Sequence, residues 1–370
     1  MERTLALRLT LLVISLFLIP TFCISQDKHP ELVLLEQRET PVLTVQSPGA
    51  EGNEFGFENG YVVKVGRTYH LFIAEMVGRP FVVKMKLGHW ASTDRLHWRR
   101  VSTLYSSSAE YTGQDPRAAL WGPTPIYDEK EGRWNLFYTA YRSAPDTPDM
   151  WRANYDGKIW RAVSQERGLG GIDGPYKDVG IVLQPGPESE PWEGGQGTDS
   201  FFPYQAGGKW YSFYGSCNTK RDGNNIVGPW LVGLVSAPRL AGPWKRLPEN
   251  PVPISTKFIE APIVTQLKDG TYVAVYDSEV SNAVGYTFSS DGVRWFPGKT
   301  LVVQPKGKGR WAYHVRTPLG LIPESDGTLT LFYTGFQHVP SQPKNAWESD
   351  KANPGDSAVG LVIVKLGSPR

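Results

Sequence analysis

Three carboxylates, one guanidinium and one indole stand at equivalent places in a repeated sequence pattern: Glu58, Trp121, Asp199, Glu260 and Arg316. Acids and arginine are rarely placed at inward positions unless they pair with one another or serve a function. The chemistry that needs such a set is cleavage of a glycosidic bond. A protonated carboxylic acid gives its proton to the leaving oxygen, and a second carboxylate activates water or attacks the anomeric carbon. Crowding three acids raises the pKa of at least one of them, which keeps it protonated near neutral pH. Arg316 and His314 add hydrogen-bond donors, and Trp121 offers a flat face that can stack on a sugar ring. The competing reading is an ion-paired plug, with Arg316 neutralising the acids to seal a channel.

The equivalence of those positions comes from the strands that must hold them. Five segments share alternating aromatic and apolar residues after a glycine-containing turn: Tyr69–Ile73, Trp134–Tyr138, Trp210–Tyr214, Tyr272–Tyr276 and Leu329–Tyr333. That is a hairpin signal met five times. A further strand pattern follows each, at Gly88–Ser92, Ile159–Val163, Gly233–Ser236, Gly285–Ser289 and Val359–Val364, and Trp98, Trp244 and Trp295 come shortly after three of them. Asp94 and Asp291 each precede a tryptophan by four residues and are predicted to cap the hairpin turns. Just upstream of each first pattern lies a candidate innermost strand. These begin Glu58-Asn59-Gly60-Tyr61, Trp121-Gly122-Pro123-Thr124, Asp199-Ser200-Phe201-Phe202, Glu260-Ala261-Pro262-Ile263 and Arg316-Thr317-Pro318-Leu319, with start-to-start spacings of 63, 78, 61 and 56 residues. Such lengths suit four-stranded antiparallel blades with long loops, and the prediction is an all-β, five-bladed β-propeller around a central channel. Inner strands of a propeller start on one rim, so the five first residues should meet at one opening.

The rest of the chain fits that frame. Residues 1–25 read as a secretory leader: Arg3 and Arg8, an apolar run from Leu9 to Ile19, and small residues before Gln26. A secreted or periplasmic protein is expected, with no membrane contact once the leader is cut. Beyond it Cys217 is the one cysteine, so stability must come from the core rather than from disulfides. Formal net charge is +2 with no Lys/Arg stripe, which excludes a nucleic-acid footprint. The thirteen Trp, seventeen Tyr, 39 Gly and 30 Pro describe turn-rich sheet with many flat rings. Residues 26–54 precede the propeller domain at 55–370, and Pro41–Val45 is expected to add an outer strand to the last blade and close the ring. Of two long insertions, Ser143–Lys158 carries Trp151 and Tyr155, while Gln184–Gly197, with Trp192, reads as a disordered surface loop. No Ser-His-Asp order, phosphate-cradling glycine loop or Cys/His metal spacing points to another enzyme class.

Trp121-Gly122-Pro123-Thr124 resembles the second-blade Trp-Ala-Pro-Asp of glycoside hydrolase family 43, Asp199-Ser200-Phe201-Phe202 resembles its third-blade Asp-Pro-Ser-Val-Phe, and Glu260-Ala261-Pro262 its fourth-blade Glu-Gly-Pro. His314 and Arg316 are similar to its fifth-blade His and Arg. The resemblance covers roughly residues 55 to 367, and families 32, 62 and 117 share the propeller and a similar acidic triad. It implies Glu260 as general acid, Asp199 as the residue that tunes and orients it, Glu58 as base, and Trp121, His314 and Arg316 as substrate-binding residues. It further implies a carbohydrate partner, plant or algal poly- or oligosaccharide, and no required cofactor. Nothing in the sequence specifies the structural calcium such a channel can hold, no metal ligands are assigned, and the oligomeric state stays open. The chain departs from the family at Glu58, where Asp followed by Pro is usual, and at Thr124, where the second blade has its acid. Glu75, Asp277 and Glu279 are the next candidates for the base. A non-catalytic carbohydrate-binding propeller and a protein-binding propeller are the alternatives.

Overall fold

The computed structural model describes residues 30–145, 153–218, 220–222, 225–256, 258–278, 280–304, 310–338 and 355–367. The expected leader at residues 1–25, Trp151 and Glu279 lie outside them. The described chain is strand after strand, with one short 3-10 helix at Leu169–Asp173. A first strand, β1 (Glu31–Gln37), precedes a four-stranded meander of β2 (Gly56–Val65), β3 (Thr68–Met76), β4 (Met85–Ser92) and β5 (Arg99–Ser106). The next is β6 (Ala119–Asp128), β7 (Arg133–Ser143), β8 (Asn154–Ser164) and β9 (Tyr176–Leu183). The third sheet holds β10 (Tyr204–Ala206) and β11 (Lys209–Cys217), then, after a small hairpin of β12 (Lys220–Asp222) and β13 (Asn225–Val227), β14 (Trp230–Ala237) and β15 (Lys245–Arg246). A further meander is β16 (Glu260–Gln266), β17 (Tyr272–Asp277), β18 (Ala283–Ser289) and β19 (Lys299–Val302). The last strands are β20 (His314–Pro323), β21 (Leu329–Phe336) and β22 (Ser357–Gly367). Every repeat segment identified in the sequence lies in a strand of this series except the third predicted innermost strand, Asp199-Ser200-Phe201-Phe202, which precedes β10.

Burial explains why those segments were visible. β17 is buried along its whole length and β7 nearly so, because these middle strands are covered on both faces and therefore read as apolar and aromatic runs. The outer strands β9 and β5 are half-exposed or exposed along most of their length and mix polar with apolar residues instead. Apolar clusters join each sheet to the next in sequence. Leu87 shares a cluster with Leu136, Phe137 with Tyr214, Phe213 with Ala274, and Val275 with Leu331. One more cluster joins the last strands to the first, through Leu319, Phe332 and Leu361 against Leu71 and Trp90. Indoles from the predicted hairpin ends serve this packing: Trp98 lies edge-on to Phe332 at 6.0 Å, and Trp295 packs 5.3 Å from Phe213.

The ends of the chain meet as well. β22 pairs with β21 on one side and β1 on the other, and a single parallel bridge, Gly56 to Ser357, ties it to β2. Only glycine fits there: its φ is +105°, and an added Cβ would lie 1.8 Å from the Ser357 carbonyl oxygen. The outer strand of the last sheet is thus Glu31–Gln37 and not Pro41–Val45, where Leu43 makes only an isolated bridge to Val359. Pro41 lacks a backbone donor and Ser47 and Glu51 hold the following turns, so that stretch cannot run a ladder. The expectation of a disordered loop at Gln184–Gly197 is also corrected. Glu193, almost fully buried, receives Arg246 Nε at 2.7 Å, Arg246 Nη2 at 2.8 Å and the Tyr214 hydroxyl at 2.8 Å. Asp94 and Asp291 take the predicted turn-forming role, each accepting two backbone N–H groups with one carboxylate oxygen.

Candidate active site

One local device, repeated around the molecule, sets the direction of the ring residues. The residue after each of the first four, Asn59, Gly122, Ser200 and Ala261, is in the left-handed region, with φ of 47°, 56°, 57° and 50°. The strand register shifts at the same place in β2, β6 and β16, and β20 shifts between Val315 and Pro318. A bulge with a left-handed residue bends the strand and re-aims the neighbouring side chain, and non-glycine residues accept that conformation only where the surrounding structure enforces it. Asp199 stands before β10 proper, held by an isolated bridge in which its backbone and that of Gly215 exchange hydrogen bonds.

The side chains so aimed share one cavity. Glu58, Trp121, Asp199, Glu260 and Arg316 all line it, together with Asn59, Val82, Tyr141, Asn154, Gln196 and Thr317. Its empty space is about 530 Å³ counting the open mouth. His314 is not among its lining residues. Burial and the cations Arg316 and Arg310 hold His314 down to about 4, so its ring is neutral at physiological pH. The walls are tied across sheets: Asn154 Nδ2 donates to the Val82 carbonyl at 3.0 Å, and Gln196 Nε2 donates to the Tyr141 hydroxyl at 3.3 Å. Tyr61 of β2 stacks on Phe202, just before β10, with ring centroids 6.2 Å apart.

Arg316 is the electrostatic centre. Its Nη1 donates to Asp277 Oδ2 at 2.7 Å, its Nη2 to Glu260 Oε2 at 3.3 Å, and its Nε lies 3.6 Å from Glu58 Oε1. Burial opposes the guanidinium's charge, and the three carboxylates outweigh it, so its pKa rises above the usual arginine value. Glu58 accepts the Thr317 hydroxyl at 2.7 Å and is only 2% exposed. Its burial outweighs Arg316 and Thr317 and pushes the carboxyl up to about 7. Asp199 Oδ1 accepts the Ser200 backbone N–H at 2.6 Å and the Thr139 hydroxyl at 3.3 Å. This carboxylate set does not fit a channel calcium, because the guanidinium reaches Glu58, Glu260 and Asp277 at once and supplies the positive charge a divalent ion would bring.

Several buried polar atoms of the lining find no partner among the described residues: Glu58 Oε2, Asn59 Oδ1, Gln196 Oε1 and Trp121 Nε1. Buried groups of this kind are costly unless a ligand or water meets them. Three acceptors and a donor around one cavity match a molecule whose hydroxyls both give and accept hydrogen bonds. Sequence reasoning missed Asn154, Tyr141 and Gln196, which come from strand ends and a loop with no periodic signal, and Thr317, whose signal was its place beside Arg316. Of the reserve candidates, Asp277 belongs to the Arg316 cluster, whereas Glu75 is committed to Arg100 at 2.9 Å and to Trp90 Nε1 at 2.8 Å, outside the cavity lining.

No protein-family model matches the chain, and no curated protein sequence matches it. Solved structures do. A family 117 glycoside hydrolase from the marine bacterium Zobellia galactanivorans aligns with a TM-score of 0.59 at 13% identity, covering 91% of each chain. An α-L-arabinofuranosidase from Lactobacillus brevis aligns with a TM-score of 0.55 at 12% identity, covering 88% of this chain and 94% of its own. The GH43_1 enzyme from Xanthomonas citri, solved with xylotriose, gives 0.51 at 12% identity, covering 89% and 90%. Over about nine-tenths of its length the chain has the β-propeller fold of these glycoside hydrolases.

Proposed function

We propose that the chain is a secreted glycoside hydrolase, built as a five-bladed propeller, with its active site in the cavity ringed by Glu58, Trp121, Asp199, Glu260 and Arg316. The observation that carries this reading is the convergence of three acids, one guanidinium and one indole on a cavity whose buried polar atoms await hydroxyl partners. Two carboxyl groups from this set supply the acid and the water-activating base of glycosidic cleavage. Trp121 gives a face for the sugar ring, and Asn59, Gln196 and Asn154 stand where hydroxyls would be read. Five blades are supported by the apolar cluster at each successive junction and by the one that joins last strands to first. The leader-like residues 1–25 support secretion, and plant or algal poly- or oligosaccharide is the substrate class. Proteins of this fold have been solved with xylotriose and with β-1,3-galactotriose, which makes short oligosaccharides the first substrates to try. The experiment is a hydrolysis screen on arabino-, xylo-, fructo- and galacto-oligosaccharides, with the anomer of the product followed by NMR. Release of sugar from one class supports the reading; tight glycan binding with no release from any class makes the cavity a binding site only.

A further inference from the structure

A second set of polar side chains meets on the first sheet, away from the cavity. His70 of β3 and His89 of β4 are diagonal neighbours across the ladder, since His70 pairs with Ala91 and His89 with Phe72. Both rings therefore share the face of Phe72, which packs toward the second sheet and meets Tyr176 edge-on at 6.5 Å. His70 Nδ1 and His89 Nε2 are 2.9 Å apart, and Phe72 stacks on His89 at 4.2 Å, which fixes the plane of that ring. Asp173, the last residue of the 3-10 helix, brings its Oδ1 to 3.8 Å from His89 Nδ1. The helix end is held in place, because the Gly174 N–H donates to the Gly171 carbonyl at 3.1 Å and the Tyr176 hydroxyl to the Ile172 carbonyl at 2.9 Å. One nitrogen of each ring and one Asp173 oxygen lie within 4.8 Å of one another. None of the three residues lines the cavity that holds the acids.

A hydrogen-bonded histidine pair does not account for this arrangement. His89 is fully buried, yet its Nδ1 has no hydrogen-bond partner among the described residues, and 3.8 Å is too long for a hydrogen bond to Asp173. A buried ring nitrogen aimed at a carboxylate across such a gap is costly unless something meets both. Burial lowers the pKa of both rings, that of His89 to about 3, so each is neutral at physiological pH and keeps a lone pair to give. Of the cations that bear on His89, Arg100 is tied to Glu75 at 2.9 Å and Arg99 is exposed. We propose that His70, His89 and Asp173 bind one divalent transition-metal ion, zinc in the first instance, which clamps the first sheet to the helix that precedes β9 of the second. Two imidazoles with one carboxylate suit zinc and its neighbours, whereas calcium and magnesium take oxygen ligands. Zinc holds such ligands at about 2.0–2.2 Å, so two of them stand roughly 3.3 Å apart. The Asp173 side chain, 57% exposed, can close its gap by rotation and leaves the ion a path from solvent. The site stands independently of the glycosidase reading.

The test uses the full chain, stripped with EDTA and then titrated with Zn²⁺ by calorimetry and with Co²⁺ by visible absorption. The wild type is expected to bind one ion per chain and to show the d–d bands of cobalt held by nitrogen and oxygen. At about 100 times Kd of Zn²⁺ it should gain several degrees in melting temperature, a gain that EDTA reverses. Ca²⁺ is expected not to compete. His70→Gln is expected to abolish the cobalt bands and the thermal gain. Asp173→Asn should weaken Zn²⁺ binding by at least the about 10 to 100-fold that loss of an outer-shell partner costs. Because Asp173 is exposed, this variant should melt with the stripped wild type, which separates lost binding from misfolding. His97 beside Asp94 and His338 beside Asp356 are the other histidine–carboxylate pairs that could hold an ion. Wild-type affinity in His70→Gln or in Asp173→Asn, or loss of binding in His97→Ala or His338→Ala, overturns the inference in favour of an adventitious surface ion. Absence of saturable Zn²⁺ binding by the stripped wild type overturns it outright.

Discussion

At the scale of single residues, the site is a charge problem that Arg316 only partly solves. Truncation as Arg316→Ala would leave Glu58, Glu260 and Asp277 buried without their cation. Breaking a buried pair in this way costs about 3–5 kcal/mol, so urea unfolding at pH 8 should show a loss of that order, shrinking at pH 5 where the acids take up protons. Glu58 gives its own pH dependence. Its folded pKa of about 7 lies above the ordinary 4.5, so the folded state binds the proton more tightly than the unfolded chain. Its contribution to stability is therefore most favourable below about pH 4.5 and falls as pH rises through 7, by roughly 3 kcal/mol in the limit. Glu58→Gln should flatten that slope and be more stable than wild type at pH 8; a variant with the wild-type slope would place the titration elsewhere. The ring itself was legible in sequence because five residue types stood at the heads of five similar strands. Its supporting hydrogen bonds were not: Thr317 to Glu58 and Asn154 to Val82 join residues 259 and 72 positions apart, and no local pattern encodes them.

At the scale of elements, the recurring left-handed residue is the feature that turns a strand into a site-bearing strand. An L-residue pays about 1–2 kcal/mol to adopt this conformation, and a β-branched one more. Ala261→Gly gives up a buried methyl but relieves the strain, so its stability should stay within about 1 kcal/mol of wild type. Ala261→Val should lose about 2 kcal/mol or more and misdirect Glu260, lowering activity as well, which thermal unfolding and turnover together would measure. Equal stability of the two variants would deny the strain a role. Middle strands were easy to read since both faces are covered. The outermost strand was misplaced because β1, half-exposed along most of its length, gains its order from β22 at the far end of the chain rather than from its own pattern. The loop before Asp199 was misread for a related reason: its anchor, Arg246, is 53 residues away from Glu193.

At the scale of the whole molecule, the last strand, β22, meets β2 through Ser357 and Gly56, and a core cluster joins Leu71, Phe332 and Leu361. Gly56→Ala should open this junction, since its Cβ would fall on a carbonyl oxygen, and lower the melting temperature by several degrees, the effect of a loss of a few kcal/mol in a chain of this size. An unchanged melting temperature would mean that the closure adds little to stability. The same closure brings residues from opposite ends of the chain, Glu58 and Arg316, to one cavity, and the account stands or falls on what that cavity does. The most direct measurement is sugar release from arabino-, xylo-, fructo- and galacto-oligosaccharides by the wild type and by the double variant Glu58→Gln/Glu260→Gln. The account predicts release from at least one class by the wild type and none by the double variant; release that survives the double substitution, or no release by the wild type from any glycan, would contradict it.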